Sequence, residues 1–346
     1  MKISGQDVRT WGDTEQLGDQ PNVNIHEAWA LVTVSDHFGV KPGRQELVYG
    51  NQRLLGNVNW SQQGRSHDAL IVTYSHPDLN LNLDAGGAFN QESQNLFGSS
   101  YQLDNYKVLS YVWLKKQWGL FAISSLGLTD GFERASGTTV FRYTYGVDLN
   151  YNGNRWQLSG SLYAQNGDDK IRDNISAWMS SLKASYSIDP VTITAGIDHL
   201  SGGDPNDSNP ERHTFNTLYA TNHKFYGHMD YFLNIPNDTR GAGLQDMYLK
   251  ASYKLSDHAG LNVAYHHFAR AESTTNPLNP TEILDDSLGS ELDAKTSFTV
   301  SSDIELNVGY SVFVTTKSLR DLKEQTNANY WQHWGWIMLL ITPQFL

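Results

Sequence analysis

Leu79, Leu81, Leu83 and Ala85 alternate with Asn80, Asn82 and Asp84, and the same every-other-residue pattern recurs along almost the whole chain. A strand turns successive side chains to opposite faces, so each such segment has one apolar and one polar face. Phe141, Tyr143, Tyr145, Val147, Leu149 and Tyr151 oppose Arg142, Thr144, Gly146, Asp148 and Asn150. Met247, Leu249, Ala251, Tyr253 and Leu255 oppose Asp246, Lys250, Ser252 and Lys254, and Ile304, Leu306, Val308, Tyr310, Val312 and Val314 oppose Glu305, Asn307 and Ser311. An all-β chain follows. Its apolar faces meet either a partner sheet, as in a soluble sandwich, or lipid, as in a membrane barrel with a polar lumen.

The connections separate these readings. Tight turns at Trp118-Gly119, Gly153-Asn154, Asp189-Pro190, His258-Ala259-Gly260 and Ser301-Ser302-Asp303 carry hairpin residues. Between them lie long polar stretches at 90–104, 166–174, 202–243, 272–289 and 317–329. Short turns on one side and long loops on the other are the habit of outer-membrane barrels. The reading is one domain over residues 1–346, an antiparallel up-and-down transmembrane β-barrel of about 16 strands, with a long extracellular or lumen-folding loop at about 202–243. Tyr143, Tyr145, Tyr253 and Tyr310 are expected to face lipid. The 106–128 hairpin is apolar on both faces, so its inner face cannot be assigned from the pattern.

Composition narrows the function classes. There is no cysteine, which removes disulfides, thiolate metal sites and cysteine nucleophiles. The formal net charge is −12, unlike a nucleic-acid-binding surface. No apolar run reaches the roughly 20 residues of a membrane-spanning helix. No Gly-x-Ser-x-Gly elbow occurs, and no nucleophile stands out, so an enzyme is not expected. His266-His267 falls on opposite strand faces, poorly placed for a shared metal. His223, His228 and Asp230 read as polar loop residues, as do Asp204-Pro205-Asn206-Asp207-Ser208-Asn209 and Asp285-Asp286, whose oxygens lack the spacing of a helix-flanked calcium loop. No cofactor and no metal are expected.

One polar, glycine-rich segment concentrates charge: Lys41-Pro42-Gly43-Arg44-Gln45-Glu46-Leu47-Val48-Tyr49-Gly50-Asn51-Gln52-Arg53-Leu54-Leu55-Gly56, continuing to Trp60, Gln62, Gly64-Arg65 and Asp68. On a soluble sheet, Arg44, Arg53 and Arg65 are surface residues. In a narrow pore they are held inward by carboxylates such as Glu46 and Asp68, and guanidinium rings of this kind filter anions.

This block, the block Gln6-Asp7-Val8-Arg9-Thr10-Trp11-Gly12 with His26-Glu27-Ala28-Trp29, and the block Leu218–Gly227 with Asp230-Tyr231-Phe232 together resemble the alginate export family of outer-membrane β-barrel channels. The aromatic-rich end, Trp334 to Phe345-Leu346, is similar to the terminal strand that barrel-assembly machinery reads, although its phenylalanine is penultimate. The resemblance implies a barrel of about 18 strands, a charged lumen that passes an anionic polysaccharide, and no chemical step. It implies that Arg9, Arg44, Arg53 and Arg65 line the lumen, with Glu27, Glu46 and Asp68 as counter-charges. The implied partners are outer-membrane lipid, a polysaccharide or small polar solute, and the assembly machinery. Two strands precede the Gln6–Gly12 block in the family. Their absence here, with no apolar leader after Met1, leaves either a shorter closed barrel with an even strand number or a chain shortened at its start whose signal peptide lies upstream, and the second is the reading taken. The net charge of −12 leaves a non-selective porin open, and Trp and Tyr platforms leave a carbohydrate-binding sheet protein open.

Overall fold

The computed structural model describes residues 1–9, 23–61, 63–94, 96, 98–102, 105–203 and 210–343. Thr10-Trp11-Gly12, Gln62, the Asp204–Asn209 run and Gln344-Phe345-Leu346 therefore lie outside the described residues. Strand follows strand in chain order: β1 (Lys2–Asp7), β2 (Val23–Trp29), β3 (Val32–Thr33), β4 (Phe38–Gln45), β5 (His67–His76), β6 (Leu81–Phe89), β7 (Val108–Trp118), β8 (Phe121–Glu133), β9 (Thr139–Asn152) and β10 (Trp156–Gly167). The series continues with β11 (Ile175–Ile188), β12 (Val191–Leu200), β13 (Leu244–Ser256), β14 (Ala259–Ala269), β15 (Thr275–Asn276), β16 (Asn279–Ile283), β17 (Ser287–Ser301), β18 (Ile304–Thr315) and β19 (Trp331–Ile341). Leaving out the short β3, β15 and β16, sixteen strands remain among the described residues, the number the alternation predicts. The tight turns and long connections fall where the turn residues put them. Some boundaries differ: Ala259-Gly260 open β14 rather than forming the turn, and the 272–289 connection holds β15, β16 and the start of β17. Pro77–Leu79 form a 3-10 turn and Asn80 is left-handed (φ 46°), so the alternating run begins at Leu81 and Leu79 belongs to the turn.

The chain divides into two compact units, residues 1–147, 165–175 and 217–221, and residues 148–164, 176–216 and 222–346. In the first, β1 to β8 form an antiparallel meander, each strand beside its sequence neighbour apart from the short β3, which pairs only with β4 beside β2. A bulge lies between β1 and β2: Ser4 pairs with Glu27 and Gly5 with Ile25, which leaves His26 as the extra residue. One face carries Leu70, Val72, Val112, Tyr143 and Tyr145, all exposed. The opposite face carries His67, Asp130, Arg142 and Thr144, all buried. That is the inverse of a soluble sheet, and it is what a lipid-facing exterior and a polar interior require.

The 106–128 hairpin now has an assigned inner face. Leu109, Tyr111, Leu126 and Leu128 are buried on it, while Ser110 and Val112 are exposed. The inner residues are apolar because the chain after β4 leaves the sheet and lies on this face. Tyr49 from that segment hydrogen-bonds Tyr111 (hydroxyl to hydroxyl, 2.8 Å) and packs on Trp113 (ring centroids 5.1 Å). Leu47, Leu54 and Leu55 of the same segment are buried.

In the second unit, β11 to β14 and then β17, β18 and β19 form an antiparallel meander, and β15 pairs only with β16. Exposed Met247, Leu249, Tyr253, Leu255 and Tyr310 share the outer face, as the sequence pattern predicts. On the inner face the segment 222–243 builds a small apolar core. Phe232 packs on Phe268 (4.8 Å) and Tyr231 on Phe313 (4.4 Å), and Ile235 is fully buried. The helix Lys317–Leu322 is capped by Thr316, whose hydroxyl accepts the amide of Leu319 (3.1 Å). The residue that ends it, Lys323, donates to the carbonyl of Tyr231 (3.2 Å) and pairs with Asp238 (2.6 Å), which ties the segment down.

Candidate functional site

The site is built in the first unit, where the residues after β4 meet residues 217–221. Leu55 and Tyr219 form a parallel bridge. The amide of Gly56 donates to the Tyr219 carbonyl (2.9 Å), that of Tyr219 to Leu54 (3.0 Å) and that of Thr221 to Gln52 (3.0 Å). Two of the sequence blocks that carry the family resemblance therefore touch each other. Leaving the sheet exposes backbone groups, and a bridge of this kind satisfies them without a full strand.

Arg65 hangs from this junction. Its guanidinium donates to the carbonyl of Ala220 (3.1 Å). Burial pushes its pKa down, while Tyr219 and Tyr106 act the other way. Arg44 donates to Asp68 (3.1 Å), its register partner on β5, and to the carbonyl of Ile25 (3.1 Å). Register puts this pair on the face of Leu70 and Val72, not on that of His67 and Ile71, at the strand ends where the 46–66 segment departs. Arg44 and Arg65 nevertheless share a cavity of about 580 Å³ with Gln6, Asn24, His26 and Gln63.

The carboxylates are arranged differently from the expected counter-charge pattern. Asp68 meets Arg44, but Glu46 takes hydrogen bonds from Asn57 (2.8 Å) and Asn59 (3.0 Å) and bonds the ring of His26 (2.8 Å). Burial acts to raise the Glu46 carboxyl, yet the bonds from Asn57, His26 and Asn59 outweigh it and hold the pKa below the usual value. Glu27 is buried and pairs with Lys2 and the indole of Trp29, while Lys41 lies over that indole (3.9 Å). Arg9 pairs with Asp7, two residues away and exposed. Arg53 is buried in the 46–66 segment.

The alternation pattern contains further polar residues that were not singled out as a site. Arg142 on β9 grips Asp130 on β8 with two bonds (3.1 and 2.5 Å) and approaches Asp169 (3.5 Å), which Arg172 also holds (2.6 and 2.8 Å). The Tyr219 hydroxyl donates to Asp130 (2.9 Å). Burial acts to raise the Asp169 carboxyl, but Arg172 and Arg142 outweigh it and lower the pKa. Asp84 accepts from Tyr49 (3.0 Å). For Arg142, Asp130 and Asp84 the sequence signal is parity, because each sits on the polar side of its strand, whereas Asp169 and Arg172 lie in the connection between β10 and β11, where alternation gives no signal.

No curated protein matches the sequence. Among solved structures, the outer membrane protein OprD from Pseudomonas aeruginosa is similar at TM-score 0.61 and 13% identity, covering 92% of this chain and 78% of that one. Acinetobacter baumannii OccAB1 is similar at TM-score 0.60 and 13% identity, covering 88% and 74%. Pseudomonas aeruginosa OccK5 (OpdH) is similar at TM-score 0.60 and 12% identity, covering 94% and 83%. At these identities the likeness is one of fold: an antiparallel up-and-down β-barrel of the outer membrane. A family model described as Alginate export matches residues 1–332. That match sets aside an enzyme and a soluble sheet protein, and with it the chain belongs to the alginate export family, as an outer-membrane β-barrel channel for passive diffusion.

Proposed function

We propose that the channel passes an anionic oligo- or polysaccharide such as alginate. The observation that carries this reading is the company Arg65 keeps. Its hydrogen bond goes to a carbonyl, while Glu46, one of the expected counter-charges, is taken by Asn57, Asn59 and His26. A guanidinium held this way keeps its charge available to a passing carboxylate, and Arg44 opens into the same cavity. Conduction needs release as well as capture, and the Arg44–Asp68 pair tempers the attraction.

On this reading Arg9, Glu27, Arg44, Glu46, Arg53, Arg65 and Asp68 line the solute's path, with Arg44 and Asp68 towards its entrance. Residues 1–346 act as one barrel domain, and barrel-assembly machinery inserts it through the terminal strand. The test is the reversal potential of the purified channel in a planar bilayer under a salt gradient. Replacing Arg44, Arg53 and Arg65 by Ser lowers the anion-to-cation permeability ratio. An unchanged ratio overturns the reading.

A further inference from the structure

Arg65 is held by two parts of the first unit that meet only at its guanidinium. Its backbone belongs to the wall, because Arg65 stands two residues before His67, the first residue of β5. The carbonyl that catches the guanidinium, that of Ala220, belongs to the 217–221 segment and to no strand. The neighbouring side chain fixes where that carbonyl lies. The Tyr219 hydroxyl donates to Asp130 on β8 (2.9 Å), and Asp130 is 0% exposed and gripped by Arg142 on β9. The Tyr219 ring stands edge-on to His67 (5.9 Å, 84°) and to Tyr106 just before β7 (5.3 Å, 85°). Those two are tied to each other, His67 Nδ1 to the Tyr106 hydroxyl (2.6 Å). One hydroxyl bond to β8 and two ring contacts thus set the place of residue 219 against the wall.

The backbone on both sides of the junction is strained to meet this position. Leu218, which precedes Tyr219, is left-handed (φ +56°), and so is Val58 (φ +58°). For a β-branched residue such as valine that conformation is a true outlier. Val58 lines the same cavity as Arg65, and its amide donates to Thr221 Oγ1 (3.2 Å). Such strain persists only where the surroundings over-determine the backbone, and it gathers where a group is needed in one place.

We propose that Tyr219 is the positioning residue for Arg65: by bonding Asp130 it holds the Ala220 carbonyl where it restrains the guanidinium beside the cavity. This role rests on the reading that puts Arg65 on the solute's path. A guanidinium that swings freely spends part of its time elsewhere, and its weight in a charge filter falls with distance. Y219F removes only the hydroxyl. Asp130 keeps both bonds from Arg142, and the ring keeps its edge contacts with His67 and Tyr106. The loss is therefore local.

Selectivity and side-chain motion test this together. In a planar bilayer under a potassium chloride gradient, R65S lowers the anion-to-cation permeability ratio about twofold or more. Y219F reproduces at least about half of that fall on a logarithmic scale, and it adds nothing further in the R65S/Y219F double variant. In detergent, with isotope-labelled arginine, the Arg65 Nε–H signal is identified by its loss in R65S. It is ordered in the wild type, and its order parameter falls below about 0.6 in Y219F. An Nε–H already mobile in the wild type, or equally ordered in Y219F, overturns the proposal. So does a wild-type ratio in R65S, or a Y219F shift of equal size with and without Arg65. A purely structural tyrosine lowers the urea unfolding midpoint and leaves the Nε–H order and the coupling to Arg65 untouched. The saccharide reading is judged apart, by block of the current with an oligouronate. No block with the coupling intact refutes that reading and leaves the role of Tyr219 standing, and block with uncoupled variants does the reverse.

Discussion

Leu55 and Tyr219 are joined by a parallel backbone bridge that brings the arginine-rich segment after β4 against the start of the third motif. The approach is close enough that Gly56 has no room for a side chain: a Cβ would meet Thr221 Oγ1 at 2.3 Å and the Thr221 amide at 3.0 Å. Thr221 Oγ1 also accepts the amide of Val58 (3.2 Å), so it is not free to swing away. Gly56→Val is expected to cost about 1–3 kcal/mol. The urea unfolding midpoint of protein in lipid vesicles measures it. Gly127→Ala, whose new methyl meets nothing within 4 Å, serves as the control with little change.

Asp68→Asn leaves Arg44 without its carboxylate. The pair is largely exposed, so stability is expected to change by less than about 1 kcal/mol. The electrical effect has a definite sign: one negative charge is lost beside a cavity that already holds Arg65, and anion preference rises. Exposed charges are screened by salt, so the rise shrinks between about 0.1 M and 1 M salt. Reversal potentials measured at both concentrations check it, and a fall in anion preference would contradict the placement of Arg44 on the solute's path.

Glu46 links the site to pH. Its carboxyl is held below the usual value by Asn57, His26 and Asn59 against the opposing effect of burial. A depressed carboxylate contributes stability that is present above its unfolded pKa, about 4.3, and lost as the pH falls through the folded value. The segment after β4 is therefore expected to loosen below about pH 4. Exchange of the Gly56 and Tyr219 amides reports it, and Glu46→Gln flattens that acid response.

Strand positions were legible in the sequence because parity is a local property. Val308, Tyr310, Asn307 and Ser311 fall on their predicted faces without knowledge of any neighbour. Parity fails where a segment from elsewhere covers a face. Leu109, Tyr111, Leu126 and Leu128 carry apolar residues inward because Tyr49 and its neighbours lie over that face, and no window along β7 or β8 contains Tyr49. Arg44 shows the other limit. Its partner Asp68 was legible as an opposite charge at the next strand's start, but the face that both occupy depends on the register of β4 against β5. Glu46 looked like a counter-charge for arginine, and its actual partners are the carboxamides of Asn57 and Asn59 and the ring of His26, which a bulge between β1 and β2 presents.

Arg142 is the most consequential charge on the inner face of the first unit. It is buried between Asp130 and Asp169, and Asp130 also receives the Tyr219 hydroxyl. Removing the guanidinium leaves Asp130 as a buried charge satisfied by one hydroxyl. Arg142→Met is expected to destabilise the protein by about 3–5 kcal/mol, because breaking one half of a buried pair costs more than the pair contributes. Removing both charges is different. Arg142→Met combined with Asp130→Leu discards the stranded carboxylate and recovers most of the loss. Urea unfolding midpoints of the wild type, the single and the double variant decide the matter. If the double variant is as unstable as the single, the loss comes from the packing of the long arginine stem and not from an uncompensated charge.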